Sequence, residues 1–320
     1  MQRSAANPII TRADIPDIPP RIVDVTSVFN PGAVRVGERI VLLLRVQTRG
    51  RETVLMVAES TDGERFAVRP QEVRIQGVET LGQTLYHIYD PRLTPLDDAV
   101  YVLFAADTDR GCRLGVARTE DFEGFELVGF GGSEDTRNGV LFPERFGDRY
   151  LRLERPNRVQ LDGGVTTGTE IMLAESRDLV HWRGLGPVMA GRLHYWDELI
   201  GSGPPPVKTR QGWLHVYHGV ATHFASANIY QAGVVLLDLA DPRRVLARSR
   251  NNVLEPREPY ELMGQVPNVV FPSGMIVAEY DGEGFALDDS PVRVYYGAAD
   301  TVVALATTTV RQLLQECDRR

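Results

Sequence analysis

Five short apolar runs recur along the chain, each opened by a polar or glycine turn and continued by β-branched and aromatic residues. They are ERIVLLLRVQ from Glu38, DAVYVLFAAD from Asp98, DRYLRLERP from Asp148, GWLHVYHGV from Gly212 and PVRVYYGAAD from Pro291. Short runs of β-formers bounded by turns read as strands. A second element follows three of them: Ala58-Glu59-Ser60-Thr61-Asp62, Ala117-Arg118-Thr119-Glu120-Asp121 and Ala174-Glu175-Ser176-Arg177-Asp178. Ala232-Gly233, opening VVLLDL, is a partial fourth copy. A third element precedes the runs and is rich in proline and glycine: Phe29-Asn30-Pro31-Gly32, Tyr89-Asp90-Pro91-Arg92, Leu141-Phe142-Pro143-Glu144, Gly203-Pro204-Pro205-Pro206 and Phe271-Pro272-Ser273-Gly274. Proline is excluded from the interior of central strands. Each of these segments is therefore expected at the start of an inner strand or in the loop before it.

A unit of roughly 60 residues repeated five times predicts an all-β fold, a five-bladed β-propeller. A β-sandwich of repeated hairpins is the competing reading. One domain is expected over residues 1–320. Residues 1–20, with Pro8, Pro16, Pro19 and Pro20, read as an extended arm that packs on another blade or another subunit or is partly disordered. A short C-terminal helix is expected over 309–317, where TVRQLLQEC lacks proline and glycine. The pairs Gly131-Gly132 and Gly163-Gly164 read as loops.

Composition narrows the class. Hydrophobic residues make up 43% and charged residues 24% of the 320, a globular balance that excludes disorder. The net charge of −8 offers no general surface for nucleic acid or anionic membrane. An anionic ligand would need a local cluster of basic residues. Cys112 and Cys317 cannot form a disulfide framework, and no cysteine–histidine spacing suits zinc. His215, His218 and His223 match no standard metal site, and no metal is expected. No run reaches a membrane span, and the N-terminus lacks the apolar core of a signal peptide. A soluble, cytoplasmic protein is expected.

In a propeller, polar residues at one place in each repeat converge on the central funnel. The proline-marked segments contribute Asn30, Asp90 with Arg92, Glu144, Lys208 and Ser273. Any one of them also suits an Asx-turn. Asp90, between Tyr89 and Pro91, is a candidate general acid if burial raises its pKa, or a structural partner of Arg92. Arg137, Arg155, Lys208 and His218 form the basic set, and convergent arginines bind phosphate through bidentate hydrogen bonds. Trp196, Trp213, Tyr217, Tyr295 and Tyr296 are either sugar-stacking faces or blade packing.

Nine motifs in order, FNPGA, YDPRLT, GVLFPE, ERP, WDELIGSGPP, GWLHVYHG, AGVVLLDL, VVFPSG and YYGAADT, span Phe29 to Thr301. Together they resemble glycoside hydrolase family 130, the inverting β-mannoside phosphorylases and related β-mannosidases. The resemblance implies a five-bladed propeller. It also implies inverting phosphorolysis of terminal β-mannosidic bonds, giving α-mannose 1-phosphate and a shortened acceptor. It places the general acid on Asp90, acting through a sugar hydroxyl. It places mannose contacts on Asn30, Arg45, Tyr89, Arg92 and Asp300, and phosphate contacts on Arg137, Arg155 and His218, with Lys208 nearby. Inorganic phosphate is then a co-substrate and no cofactor is expected. A homo-oligomer is compatible with this reading.

Phosphate is already an anionic nucleophile, so it needs a cationic cradle and no base. An inverting hydrolase needs a second carboxylate with room for water. Two departures bear on that choice. Leu199 stands where the family pattern has lysine, and Glu154 stands where it has histidine before Arg155-Pro156. Glu154 is either a base, which favours an inverting β-mannosidase, or a partner of Arg152 or Arg155. A non-catalytic sugar-binding propeller is the reading outside the enzymes. Linkage and acceptor are expected to depend on the loops Arg192–Asp197 and Thr222–Tyr230, which cap the outer subsites.

Overall fold

The structure is a computed structural model that describes residues 1–132, 135–157, 168–223 and 227–318. Five antiparallel sheets follow one another along the chain as the blades of a five-bladed β-propeller. Blade 1 comprises Val25–Val36, Arg39–Thr48, Thr53–Ser60 and Ala67–Val73. Blade 2 comprises Leu85–Leu96, Ala99–Thr108, Gly111–Thr119 and Phe125–Phe130, edged by Ile75–Gln76. Blade 3 comprises Thr136–Leu141, Tyr150–Pro156, Glu170–Ser176 and Arg183–Ala190. Blade 4 has a broken inner strand, Leu199–Ser202 and Val207–Thr209, then Gly212–Ala221, Ile229–Leu237 and Val245–Arg248. Blade 5 takes Val270–Val277, Pro291–Ala298 and Val302–Thr309 from the C-terminal part and Gln2–Arg3 from the N-terminus. The N-terminal arm thus supplies the outer strand of the last blade, and Ile10 bridges Val303. The C-terminal helix runs Val310–Asp318. Gly163 and Gly164, and residues 224–226 of the Thr222–Tyr230 loop, lie outside the described residues.

The apolar runs are near-continuous because each blade is covered on both faces. In blade 1, Ile40, Leu42, Leu44 and Val46 pack with Ile276, Tyr295 and Val303 of blade 5. Val41 and Leu43, between them on the other face, pack with Val100, Val102 and Phe104 of blade 2. Trp213, Tyr217, Tyr295 and Tyr296 are fully buried in these layers, so they are packing residues and not sugar faces.

The prolines sit differently from the expectation. Pro31, Pro91 and Pro272 lie inside inner strands, at register shifts between Phe29 and Gly32, Tyr89 and Arg92, and Pro272 and Gly274. A β-bulge leaves a residue out of the ladder, so the missing N–H of Pro31 and Pro91 costs nothing, while Pro272 stays in register with Tyr296 and Ser273 is the residue left out. In blade 3 the bulge falls on Asn138-Gly139, between Arg137 and Val140. Pro143 and Glu144 come after that strand, so the fourth-residue repeat of the sequence was out of phase in this blade. In blade 4 the proline run interrupts the inner strand.

Candidate active site

The bulges carry the site. Asn30, Asp90 and Asn138 are the first bulged residues of blades 1, 2 and 3, with φ of 47°, 52° and 53°. Asparagine and aspartate tolerate this left-handed conformation better than other side chains. A bulge also re-aims its side chain. All three line one cavity of about 280 Å³.

The second strands add one residue each at matching positions. Arg45 lies opposite Phe29, Arg155 opposite Arg137 and His218 opposite Gly201. These three line the same cavity. Gly201 is needed for the approach: a Cβ there would stand 2.4 Å from the His218 ring and 2.6 Å from Asn138 Nδ2.

One wall is carboxylic. Asp90 Oδ1 accepts hydrogen bonds from Asn30 Nδ2 and Arg45 Nη1, both at 2.9 Å. Arg45 is itself held between the Phe29 and Tyr89 rings, at 4.5 and 4.7 Å. Burial pushes the Asp90 carboxyl up, but the charges of Arg45 and Arg92 and the two hydrogen bonds outweigh it. Asp90 is therefore held below the usual carboxylate range, opposite to the shift expected from its neighbours in sequence. Asp300 is the carboxyl that moves up, to about 6, through burial and the charge of Asp90, with Arg45 opposing. It sits with Ala299 in two successive left-handed residues (φ 47° and 49°). Backbone hydrogen bonds from Val28 to Thr301, from Val266 to Ala299 and from Ala299 to Val269 hold that turn. Strained residues persist where such ties over-determine them.

The opposite wall is basic. Arg137 and Arg155 are cross-strand partners, a like-charge pairing that is unfavourable without a counter-anion. Burial, then the charge of Arg137, pulls Arg155 down to about 10. The Nε atoms of both arginines and Nδ1 of His218 are buried without a hydrogen-bond partner among the described residues. Burial and the charges of Arg155 and Arg92 keep His218 neutral. Its ring lies 4.5 Å from that of Phe271 and stacks on Tyr230. Arg155 Nη2 donates to Asn157 Oδ1 at 3.1 Å, and Asn157 Nδ2 to Asp135 Oδ1 at 3.0 Å, which fixes the guanidinium from behind.

Two residues expected here lie elsewhere. Arg92 is fully buried, with Nε on the Gly203 carbonyl at 2.7 Å and Nη1 on the Asp90 carbonyl at 3.0 Å. It braces the bulge backbone and does not line the cavity. Lys208 forms an ion pair with Glu144 at 2.5 Å and lies over the Phe285 ring, apart from the arginines. Glu154 is also absent from the cavity lining: Oε2 takes both Nε and Nη2 of buried Arg152, at 2.9 and 2.5 Å. Conversely, Asn138, Asp107, Tyr230 and Phe271 line the cavity and were not singled out from the sequence. Aligning Arg-Asn-Gly of blade 3 on Phe-Asn-Pro of blade 1 is the signal that finds Asn138.

Two partly buried carboxyls facing two arginines and a histidine across one cavity can hold a neutral polyol against an anion. The comparisons are specific. Residues 2–319 match the model of glycoside hydrolase family 130, described as beta-1,4-mannooligosaccharide phosphorylase, and the chain belongs to this family. It is 31% identical over 316 residues to a beta-1,4-mannooligosaccharide phosphorylase of Ruminococcus albus, covering 96% of this chain and 88% of that one. It is 31% identical over 260 residues to a 1,2-beta-oligomannan phosphorylase of Thermoanaerobacter, covering 80% and 78%. Among solved structures, beta-1,2-mannobiose phosphorylase from Listeria innocua in complex with beta-1,2-mannobiose superposes with a TM-score of 0.84. It is 27% identical and covers 99% of both chains.

Proposed function

We propose that this protein catalyses inverting phosphorolysis of terminal β-mannosidic bonds in manno-oligosaccharides, giving α-mannose 1-phosphate and a shortened acceptor. The observation that carries this reading is the basic wall. Arg137, Arg155 and His218 line the cavity that also holds Asp90, and each keeps a buried nitrogen to which no described residue hydrogen-bonds. Buried cations without partners are costly, and a phosphate dianion satisfies them. Names of the curated relatives, phosphorylases acting on β-mannosides, support the same chemistry, while several solved structures of the same fold are described as glycoside hydrolases.

The reaction needs one oxygen of phosphate to attack the anomeric carbon from the face opposite the leaving oxygen. The basic wall holds that phosphate and the carboxylic wall holds the mannose. Asn30, Arg45, Tyr89 and Asp300 are the mannose contacts in this reading. Asp90 is the general acid and passes its proton through a sugar hydroxyl. A mannoside that takes Asn30 and Arg45 as its own partners removes the hydrogen bonds that keep Asp90 ionised. With those two hydrogen bonds gone its pKa rises toward acid duty, against the remaining charges of Arg45 and Arg92. Glu154, committed to Arg152, gives no support to a water-activating base and hence to the hydrolase alternative.

No helix among the described residues is long and apolar enough to cross a membrane. We place the enzyme in the cytoplasm because its charged sugar phosphate product is retained there. The test uses β-1,2- and β-1,4-mannobiose, with and without millimolar phosphate. Mannose 1-phosphate formed only with phosphate is the expected result, and the better disaccharide names the linkage. Free mannose at a phosphate-independent rate would establish the β-mannosidase instead. Asp90→Asn is expected to lower turnover by about 10²–10⁴-fold with the fold intact. Sugar binding without any wild-type turnover would establish the non-catalytic propeller.

A further inference from the structure

The anion-binding wall contains one group of the wrong sign. Asp107 lines the same cavity as Arg137, Arg155 and His218, and its charge acts on Arg137. It lies on the second strand of blade 2, two residues beyond Ala105, which faces Tyr89 as Arg45 faces Phe29 and Arg155 faces Arg137. Its Oδ1 accepts the Tyr89 hydroxyl at 2.7 Å. That tyrosine is buried, packed against Arg45, and within 3.6 Å of Cys112 Sγ. The carboxylate is thus held in place from behind. Its other oxygen makes no hydrogen bond or ion pair with the described residues, Arg137 included.

A fixed carboxylate beside a bare anion repels it. The arrangement is favourable only where the ligand brings a hydrogen to that oxygen. We propose that Asp107 accepts the P–OH hydrogen of monohydrogen phosphate, so that the site selects protonated phosphate over sulfate. Sulfate has the same shape and charge at neutral pH but carries no hydrogen. This inference rests on the phosphorolysis reading. Proton balance agrees with it. A mannoside and monohydrogen phosphate become mannose 1-phosphate dianion and a free sugar hydroxyl. One hydrogen therefore leaves phosphate for every hydrogen the leaving oxygen gains. An acceptor at the phosphate is where that hydrogen departs.

The experiment measures the KM for phosphate and the Ki of sulfate and of monofluorophosphate, a dianion of similar shape without the hydrogen, on the intact enzyme. Both inhibitors are expected to bind the wild type at least tenfold more weakly than phosphate. In Asp107→Asn the amide donates to a bare oxygen. Sulfate is then expected to tighten so that the sulfate-to-phosphate ratio falls at least tenfold, whatever shift in the mannoside KM follows from the altered partner of Tyr89. An unchanged ratio, or equal binding of monofluorophosphate and phosphate by the wild type, overturns the proposal. A rise in mannoside KM at constant ratio assigns Asp107 to the sugar instead and also overturns it. If the wild type yields no phosphate-dependent product, the reaction reading fails separately. Thermal shifts with phosphate against sulfate then still decide whether Asp107 discriminates between them.

Discussion

Asp300 shows how a site residue can oppose stability. Its carboxyl ordinarily titrates at 3.8 and is raised to about 6 in the folded protein, chiefly by burial. Below 3.8 the group is protonated in both states and costs nothing. As pH rises toward 6 the unfolded chain ionises first, and the folded state loses stability. The full loss, ~3 kcal/mol for a shift of this size, is present above pH 6. Asp300→Asn is therefore expected to raise the melting temperature at pH 8, to leave it unchanged at pH 3.5, and to abolish turnover. Equal melting shifts at both pH values would show that the carboxyl is not perturbed. The basic wall makes the complementary prediction. Arg155→Ala removes charge-assisted hydrogen bonds worth about 1.5–3 kcal/mol, so the KM for phosphate should rise roughly 10- to 100-fold. Phosphate saturation curves at fixed mannoside check it. The residue types at this site were legible in sequence: Asp90, Asn30, Arg45, Arg137, Arg155, His218 and Asp300 all meet at one cavity. Arg92 and Lys208 were not distinguishable from them, because which way a charged side chain turns depends on partners such as the Gly203 carbonyl and Glu144.

Two kinds of element repeat for two different reasons. The Ala-x-Ser/Thr-x-Asp tails cap strands. Ser60 Oγ accepts from the Asp62 and Gly63 amides, and Asp62 Oδ1 from those of Glu64 and Arg65. Thr119 with Asp121 and Ser176 with Asp178 repeat the pattern. These hydroxyls and carboxylates replace backbone partners lost where the strand ends. The inner-strand bulges instead aim side chains. Gly201 is where that aim is most sensitive, because the His218 ring is packed on Phe271 and cannot retreat. Gly201→Ala is expected to displace His218 and Asn138 and to raise the KM for phosphate about 10- to 100-fold. The mannoside KM should move less, since Asn30, Arg45 and Asp300 lie on the other wall. Equal effects on both constants would show a general distortion.

At the scale of the whole molecule, the ring is closed by its two chain ends. Gln2–Arg3 pairs with Ala306 and Thr307. Arg3 donates to both oxygens of Glu261 at 2.8 Å. Glu261 is fully buried and also accepts the Tyr296 hydroxyl and the Arg257 and Glu258 amides. Removing one member of a buried pair leaves an uncompensated charge and costs about 3–5 kcal/mol. Arg3→Ala should thus lower the urea midpoint, while Arg3→Ala with Glu261→Gln should recover part of it. Because Glu261 also holds Tyr296 of the blade that carries Asp300, loss of the closing strand is also expected to loosen the carboxylic wall and raise the mannoside KM.

The number of blades follows from the chain alone. Each blade is a local unit of consecutive strands whose apolar runs must be covered on both faces, and stacking five such units does that. The chemical inventory also follows, since Asn-Pro and Asp-Pro steps mark Asn30 and Asp90, although the sequence places those steps at strand starts and the structure at bulges within the strands. Three matters were decided only by tertiary structure. The order of acidity between Asp90 and Asp300 is set by which of them Arg45 and Asn30 reach. Glu154 is withdrawn from the chemistry by Arg152, two residues away on the same strand face. Asp107 enters the anion wall because Tyr89 of the neighbouring strand holds it there. Each depends on distances between strands of different blades or on side-chain rotamers, which no local pattern encodes.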